Sequence, residues 1–181
     1  IYCKVNIDGK GLNNIITPIP FINHMLEQIS KHSYIDLEVR CSGDIEIDAH
    51  HTIEDLGWCI GEAVNKALLN KAGINRFASL SLPMDETLTS CALDVSGRPW
   101  LEWMVVLPNE KIGGVDAETF KEFFHAFAQS AKMTIHIKNN YGSNAHHIIE
   151  SCFKALAVCL RNSLSIMHRN KDVIPSTKGV I

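Results

Sequence analysis

The chain has 181 residues, 46% hydrophobic and 20% charged, which is ordinary globular usage and excludes disordered, fibrous and collagen-like classes. Its net charge of −3 argues against a general nucleic-acid binder or a polybasic membrane binder. No apolar run reaches the ~20 residues needed to cross a bilayer.

The elements follow in chain order. Ile1, Cys3, Val5 and Ile7 alternate with polar residues, predicting a half-buried strand closed by a hairpin turn at Asp8-Gly9-Lys10-Gly11. Thr17-Pro18-Ile19-Pro20 breaks the chain before a helix over 21–31. The alternation of Tyr34, Leu37, Val39 and Cys41, then Ile45 and Ile47, predicts two strands around Ser42-Gly43. Ile53, Leu56, Ile60, Val64, Ala67 and Leu68 form a 3.6-residue stripe, predicting a helix over 52–70. Strands are expected near 77–82, 88–95 and 100–107, a helix near 116–131 and a strand at 133–138. A turn at Asn139 to Ser143, a helix over 145–166 and a loop around Pro175-Ser176-Thr177-Lys178-Gly179 complete the chain.

Six cysteines without a Cys-x-x-Cys spacing read as reduced thiols in a cytosol-like compartment rather than a zinc-thiolate site. The chain starts at Ile1 rather than Met and shows no secretory pattern, which suggests a trimmed or processed form.

One motif recurs. Ala49-His50-His51-x-x-Glu54 and Ala145-His146-His147-x-x-Glu150 stand 96 positions apart, each preceded by Asx, Asp48 or Asn144. Each copy sits between the same kinds of element, helix and strand before it and its own helix after. Four identical positions at one offset make chance the poorer account, so the chain reads as an internal duplication. The fold expected is α+β, with two βα halves, 1–95 and 96–181, packed as one unit.

Asp48 and Asn144 are good N-cap residues and would set each His pair in a helix's first turn. Each Glu then lies three and four residues after the two His, within reach of both. Adjacent His on a helix point about 100° apart, so one pair does not chelate one ion with both rings. Two ions, each taking one His from each copy, fit better. Imidazole and carboxylate without thiolate suit Mn, Fe, Co, Ni or Zn. A single copy would read as a solvated helix start; two matched copies favour a metal site.

His24, among Phe21, Ile22, Met25 and Leu26, reads by default as a core His. The repeat shifts that reading, because the matching helix of the second half carries Glu122 near the equivalent position. His32, His125, His136 and His168 have no repeat partner and read as structural or surface residues. Arg76, Arg98 in Ser96-Gly97-Arg98-Pro99, Lys154 four residues after Glu150, and Lys178 are each alone ordinary surface charges. Together they would clamp an oxyanion such as phosphate.

These motifs resemble the imidazoleglycerol-phosphate dehydratase family. The resemblance rests on Phe21-Ile-Asn-His24-Met-Leu, Asp48-Ala-His-His-Thr-Ile-Glu-Asp55, Pro83-Met-Asp-Glu86, Asp94-Val-Ser-Gly-Arg-Pro99, Asn144-Ala-His-His-Ile-Ile-Glu150 and Pro175-Ser-Thr-Lys178. It implies a duplicated βα fold like the second domain of ribosomal protein S5, with helices packed on one side of each sheet. It implies dehydration of imidazoleglycerol phosphate to imidazoleacetol phosphate in histidine biosynthesis, with two Mn2+ per site binding the imidazole as imidazolate, Fe or Zn not excluded. It further implies a homo-oligomer of 24 subunits with sites between subunits, in the cytoplasm, or in a plastid for a plant or alga. His24, His50, His51, Glu54, Glu122, His146, His147 and Glu150 are then metal ligands, and Glu54, Glu150, His50 and His146 the catalytic candidates. Arg76, Arg98, Lys154, Ser176 and Lys178 match the residues that grip the substrate phosphate.

Two departures, Asn23 for the family's Asp and Pro18 for its Gly, remove no ligand. The family's upstream Arg-x-Thr-x-Glu-Thr stretch lies before Ile1. The residues by themselves leave two alternatives: a dinuclear metal hydrolase, and a non-catalytic assembly protein stapled by metal.

Overall fold

Two sheets enclose two layers of helices in a computed structural model that describes residues 1–181. The first sheet holds β1 (Tyr2–Asn6), β2 (Asn13–Ile16) and β3 (Asp36–Arg40) in the order β1-β3-β2. The second holds β4 (Phe77–Met84), β5 (Thr87–Asp94), β6 (Trp100–Met104) and β9 (Thr134–Tyr141) in the order β4-β5-β9-β6. A short hairpin, β7 (Lys111–Ile112) with β8 (Val115–Asp116), precedes α3. Helices α1 (Pro20–Ser33) and α2 (His50–Ala67) back the first sheet, α3 (Glu118–Ala131) and α4 (Ala145–Leu164) the second. α2 packs on α3 and α1 on α4. Each sheet therefore carries its helices on one side, as expected of the α+β class.

The two sheets repeat one pairing scheme. β1 runs antiparallel to β3 and β2 parallel to it; β5 runs antiparallel to β9 and β6 parallel to it. β4 and β5, within residues 77–94, hydrogen-bond into the later sheet, so the change of sheet falls between α2 and β4. The motif spacing registers the two helix starts and carries no information about which sheet an intervening strand joins.

Three expectations are corrected. No hairpin forms at 8–11: β1 and β2 lie on opposite edges of β3, and the connection is held by Asp36, whose Oδ1 accepts from Lys10 N (2.8 Å) and Leu12 N (2.9 Å). No strand forms at Ile45 and Ile47, which are exposed in a turn closed by Ile47 N to Asp44 O (3.0 Å). Both edges of β3, its neighbour in sequence, are already paired. Asn139 to Tyr141, expected as a turn, extends β9 beyond a register shift opposite Leu88 and Thr89.

One continuous apolar core joins both halves. Phe120, Phe123, Phe124, Phe127 and Phe153 are fully buried at its centre, and Phe124 meets Phe153 at 4.7 Å between ring centroids. Burying each such ring contributes about 1.5–3 kcal/mol. Gly57 and Gly61 let α2 approach α3 closely: a Cβ at Gly57 would lie 2.4 Å from Phe123 O, and one at Gly61 2.6 Å from Phe127 O. This contact carries the start of α2, and with it one His pair, to its place. No helix is long and apolar enough to cross a membrane.

Candidate metal centre and phosphate clamp

The second motif copy opens α4. Asn144 is the N-cap, its side chain accepting from His146 N (2.9 Å) and His147 N (3.3 Å), which satisfies two of the helix's orphan donors. His146 Nε2 lies 3.0 Å from Glu150 Oε2 across one turn. α1, packed against α4, brings His24 Nε2 to 3.4 Å from the same oxygen. The other oxygen, Glu150 Oε1, takes Lys154 Nζ at 2.7 Å. One carboxylate oxygen and two imidazole nitrogens thus gather within 4.8 Å of one another. The Glu150 side chain is only 7% exposed. Burial alone would raise its carboxyl, but Lys154, His146 and His24 outweigh burial and hold it below the ordinary glutamate value. Phe21 seats the edge of His146, ring centroids 5.1 Å apart.

His147 turns away from this cluster. Its Nδ1 lies 2.8 Å from Glu86 Oε2, and its Nε2 is 3.9 Å from Asp85 Oδ2. The hydrogen bond to Glu86 raises the imidazole's pKa against the opposing effect of desolvation. The same hydrogen bond, with Asn144 N–H, holds Glu86 well below the usual carboxylate range.

The first copy is built more loosely. Asp48 Oδ1 accepts from His50 N (2.8 Å), but helical backbone already begins at Ala49. Asp48 therefore stands one residue outside the N-cap position expected for it. His50 Nε2 is 3.6 Å from Glu54 Oε2, with both side chains about two-fifths exposed. His51 meets His50 edge to face at 5.9 Å. Glu122 lies on α3, which packs against α2, yet no third ligand atom joins His50 and Glu54. The single chain thus gathers His24, His146 and Glu150, and leaves His50, His51, Glu54, Glu122 and His147 outside that group. The expectation that each ion takes one His from each copy is not met within one chain, because the helix pairing α1 on α4 and α2 on α3 keeps the two helix starts apart.

The donor chemistry, imidazole nitrogens with carboxylate oxygens and no thiolate, fits a divalent Mn, Fe or Zn ion. All six cysteines are free and lie outside the cluster.

Of the expected phosphate-binding residues, Arg76 and Arg98 meet at Asp94, and Arg76 also holds Pro175 in the tail that carries Ser176 and Lys178. Arg76 donates to both Asp94 oxygens (2.8 and 3.3 Å) and from Nη1 to Pro175 O (2.8 Å). Its φ of 72° is left-handed, an uncommon conformation for a non-glycine residue, held here by Arg76 N to Ser163 O and Val95 N to Arg76 O. Arg98 Nη1 donates to Ser96 O (3.3 Å) and Nη2 reaches Asp94 Oδ2 at 3.8 Å, with the side chain 69% exposed. Ser176 Oγ accepts from Lys178 N (3.2 Å). Lys154 pairs with Glu150 beside His24 and His146. The i+4 spacing from Glu150 accounts for this pairing.

A sequence model of imidazoleglycerol-phosphate dehydratase matches residues 17–160. The chain belongs to the imidazoleglycerol-phosphate dehydratase family. It is thereby a dehydratase, a hydro-lyase of histidine biosynthesis, which sets aside the hydrolase and the non-catalytic staple. An imidazoleglycerol-phosphate dehydratase of Sinorhizobium fredii is 50% identical over 178 residues, covering 98% of this chain and 88% of that protein. The crystal structure of the Staphylococcus aureus dehydratase superposes with a TM-score of 0.85 at 36% identity, covering 91% of this chain and 93% of that one. The Pyrococcus furiosus enzyme, solved in complex with (S)-C348, gives 0.85 at 30% identity over 99% and 94%.

Sequence reasoning assigned no role to three residues around the imidazoleglycerol-phosphate dehydratase motifs. Asp94 and Glu86 stood in the quoted family stretches, and Phe21 beside His24. The available signal for Glu86 was an acidic pair, Asp85-Glu86, at the tip between two predicted strands.

Proposed function

We propose that this member of the family removes water from imidazoleglycerol phosphate to give imidazoleacetol phosphate, using two divalent cations, Mn2+ first among them. The observation that carries this reading is the convergence of His24, His146 and Glu150 from two helices on one point, with a cationic clamp at Arg76 and Arg98. We assign His24, His50, His51, Glu54, Glu122, His146, His147 and Glu150 as the ligands. His50, His51 and Glu54, half-built and partly exposed on the first copy, are completed by residues of another copy of the chain, in a 24-subunit shell. Bound metal supplies Lewis acidity and a template for the imidazole ring.

The chain's own residues divide the remaining work. Glu150, kept charged by Lys154 and two imidazoles, holds a cation. Glu54, with only His50 beside it, moves the proton lost from carbon. The reacting carbon lies next to a hydroxyl rather than a carbonyl, so its proton is weakly acidic and the ring must be oriented accurately. Arg98, Lys154, Ser176 and Lys178, with Arg76 fixed by Asp94, hold the phosphate end and so orient the reacting carbons. The family likeness supports a location in the cytoplasm, or in a plastid in a plant or alga.

The test is a coupled absorbance assay for imidazoleacetol phosphate with added Mn2+, before and after chelation. Turnover that disappears on chelation and returns with Mn2+ is expected; turnover indifferent to chelation overturns the metal reading.

A further inference from the structure

We infer that Glu86 is a positioning residue: it selects the tautomer of His147 and presents that ring's Nε2 to the metal. The inference rests on the reading of His147 as a ligand, and otherwise on geometry. Glu86 sits at the tip between β4 and β5, and its two oxygens have different partners. Oε1 faces three donors, Asn144 N at 2.8 Å, Thr87 Oγ1 at 3.0 Å and Ser143 N at 3.2 Å. Oε2 faces only His147 Nδ1, at 2.8 Å. Glu86 can only accept, so the ring nitrogen facing it carries the proton and Nε2 keeps its lone pair. A metal-ligating His whose other nitrogen donates to a carboxylate has its tautomer and ring angle set by that bond. His147 has this arrangement. The backbone donors on Oε1 belong to the start of α4, so one carboxylate ties the β4–β5 tip, the helix N-terminus and the ring together.

The first copy lacks the counterpart. β1, which occupies in its sheet the place of β5, has no strand on its outer edge, so no hairpin tip overhangs His51. The two copies are identical in motif and unequal in what orients the second His.

The chemistry of Oε1 makes Glu86→Gln a sharp probe. Three donors facing Oε1 require an acceptor there, so the amide carbonyl of Gln turns toward the backbone and its NH2 toward His147. An NH2 facing Nδ1 demands an unprotonated Nδ1 and moves the ring proton to Nε2, the atom meant for the metal. The first readout is 15N NMR of histidine-labelled, metal-free protein at a pH high enough for every imidazole to be neutral, with His147 assigned by its loss in His147→Asn. Wild type is expected to show Nδ1–H and Glu86→Gln to show Nε2–H. The second is the Mn2+ dissociation constant from EPR of free Mn2+, expected to weaken about 10–100-fold in Glu86→Gln. Thr87→Val, which removes a donor from Oε1 without touching the ring, keeps Nδ1–H.

Nε2–H in wild type overturns the inference whether or not the variant folds. So does a Glu86→Gln protein with unchanged tautomer, or with a switched tautomer and unchanged Mn2+ affinity. Each of these leaves the dehydratase reading to be judged on wild-type turnover alone.

Discussion

The starts of α2 and α4 carry the same Ala-His-His-x-x-Glu string, and the fold treats them differently. At α4, Asn144 caps two backbone donors, Glu150 is buried and bound by three groups, and Glu86 holds His147. At α2, Asp48 satisfies one donor and His50 and Glu54 face each other half-exposed, 3.6 Å apart. One copy is organised within the chain; the other is built more loosely. A repeated motif therefore repeats the donor atoms but not their degree of preorganisation, which is set by neighbouring elements.

This contrast can be broken at several strengths. The largest effect is expected from His146→Ala, which opens the only converged cluster. Turnover should fall by more than about 100-fold, beyond the range for residues that merely orient a ligand, and Mn2+ bound per chain should drop. His50→Ala should lower turnover comparably while the His24–His146–Glu150 group keeps its own ion; equal metal loss in both variants would erase the distinction between copies.

Steady-state kinetics of Arg98→Ala should show KM for the phosphorylated substrate raised by about 10–100-fold, the ~1.5–3 kcal/mol of a charged hydrogen bond, with kcat changed far less. An unchanged KM would remove Arg98 from the phosphate clamp.

Gly57→Ala tests what positions the looser copy. The added methyl meets Phe123 O, and overpacking of this kind costs about 1–3 kcal/mol, read as a lowered thermal midpoint. Cap removal is smaller: Asn144→Ala should cost about 1 kcal/mol, and Asp48→Ala less, since Asp48 serves one donor.

The pH dependence of metal-free protein gives the finest comparison. Glu150 has a folded pKa below its unfolded value, so its contribution to stability is full above about pH 4.3 and is lost as pH falls through the lower folded value. Glu150→Gln should flatten that acid limb of the thermal midpoint, whereas a limb identical to wild type would show that its ion pairs do not stabilise the fold.

Legibility followed the range of the interactions. The helix stripe of Ile53, Leu56, Ile60 and Val64 and the alternation of Cys3 and Val5 are local periodicities, and both elements form where expected. Ile45 and Ile47 alternate equally well and form no strand; β3, next to them in sequence, has both edges paired. β2, only Asn13 to Ile16, has too little apolar pattern to announce itself and exists because β3 offers it an edge. In the site, the spacing of His146, Glu150 and Lys154 placed all three on one helical face, and there they meet. Glu86 and Asp94 escaped assignment because their partners, His147 and Arg76, are 61 and 18 residues away.

The amino-acid string alone determined the donor inventory, the twofold motif and the helices that carry it, because these depend on residue identity and on spacings of three to four residues. That His24 joins Glu150, that Glu86 holds His147, and that the two copies differ in preorganisation were decided only in three dimensions. There the pairing of α1 with α4 and of β4 with β5 sets distances that no local pattern encodes.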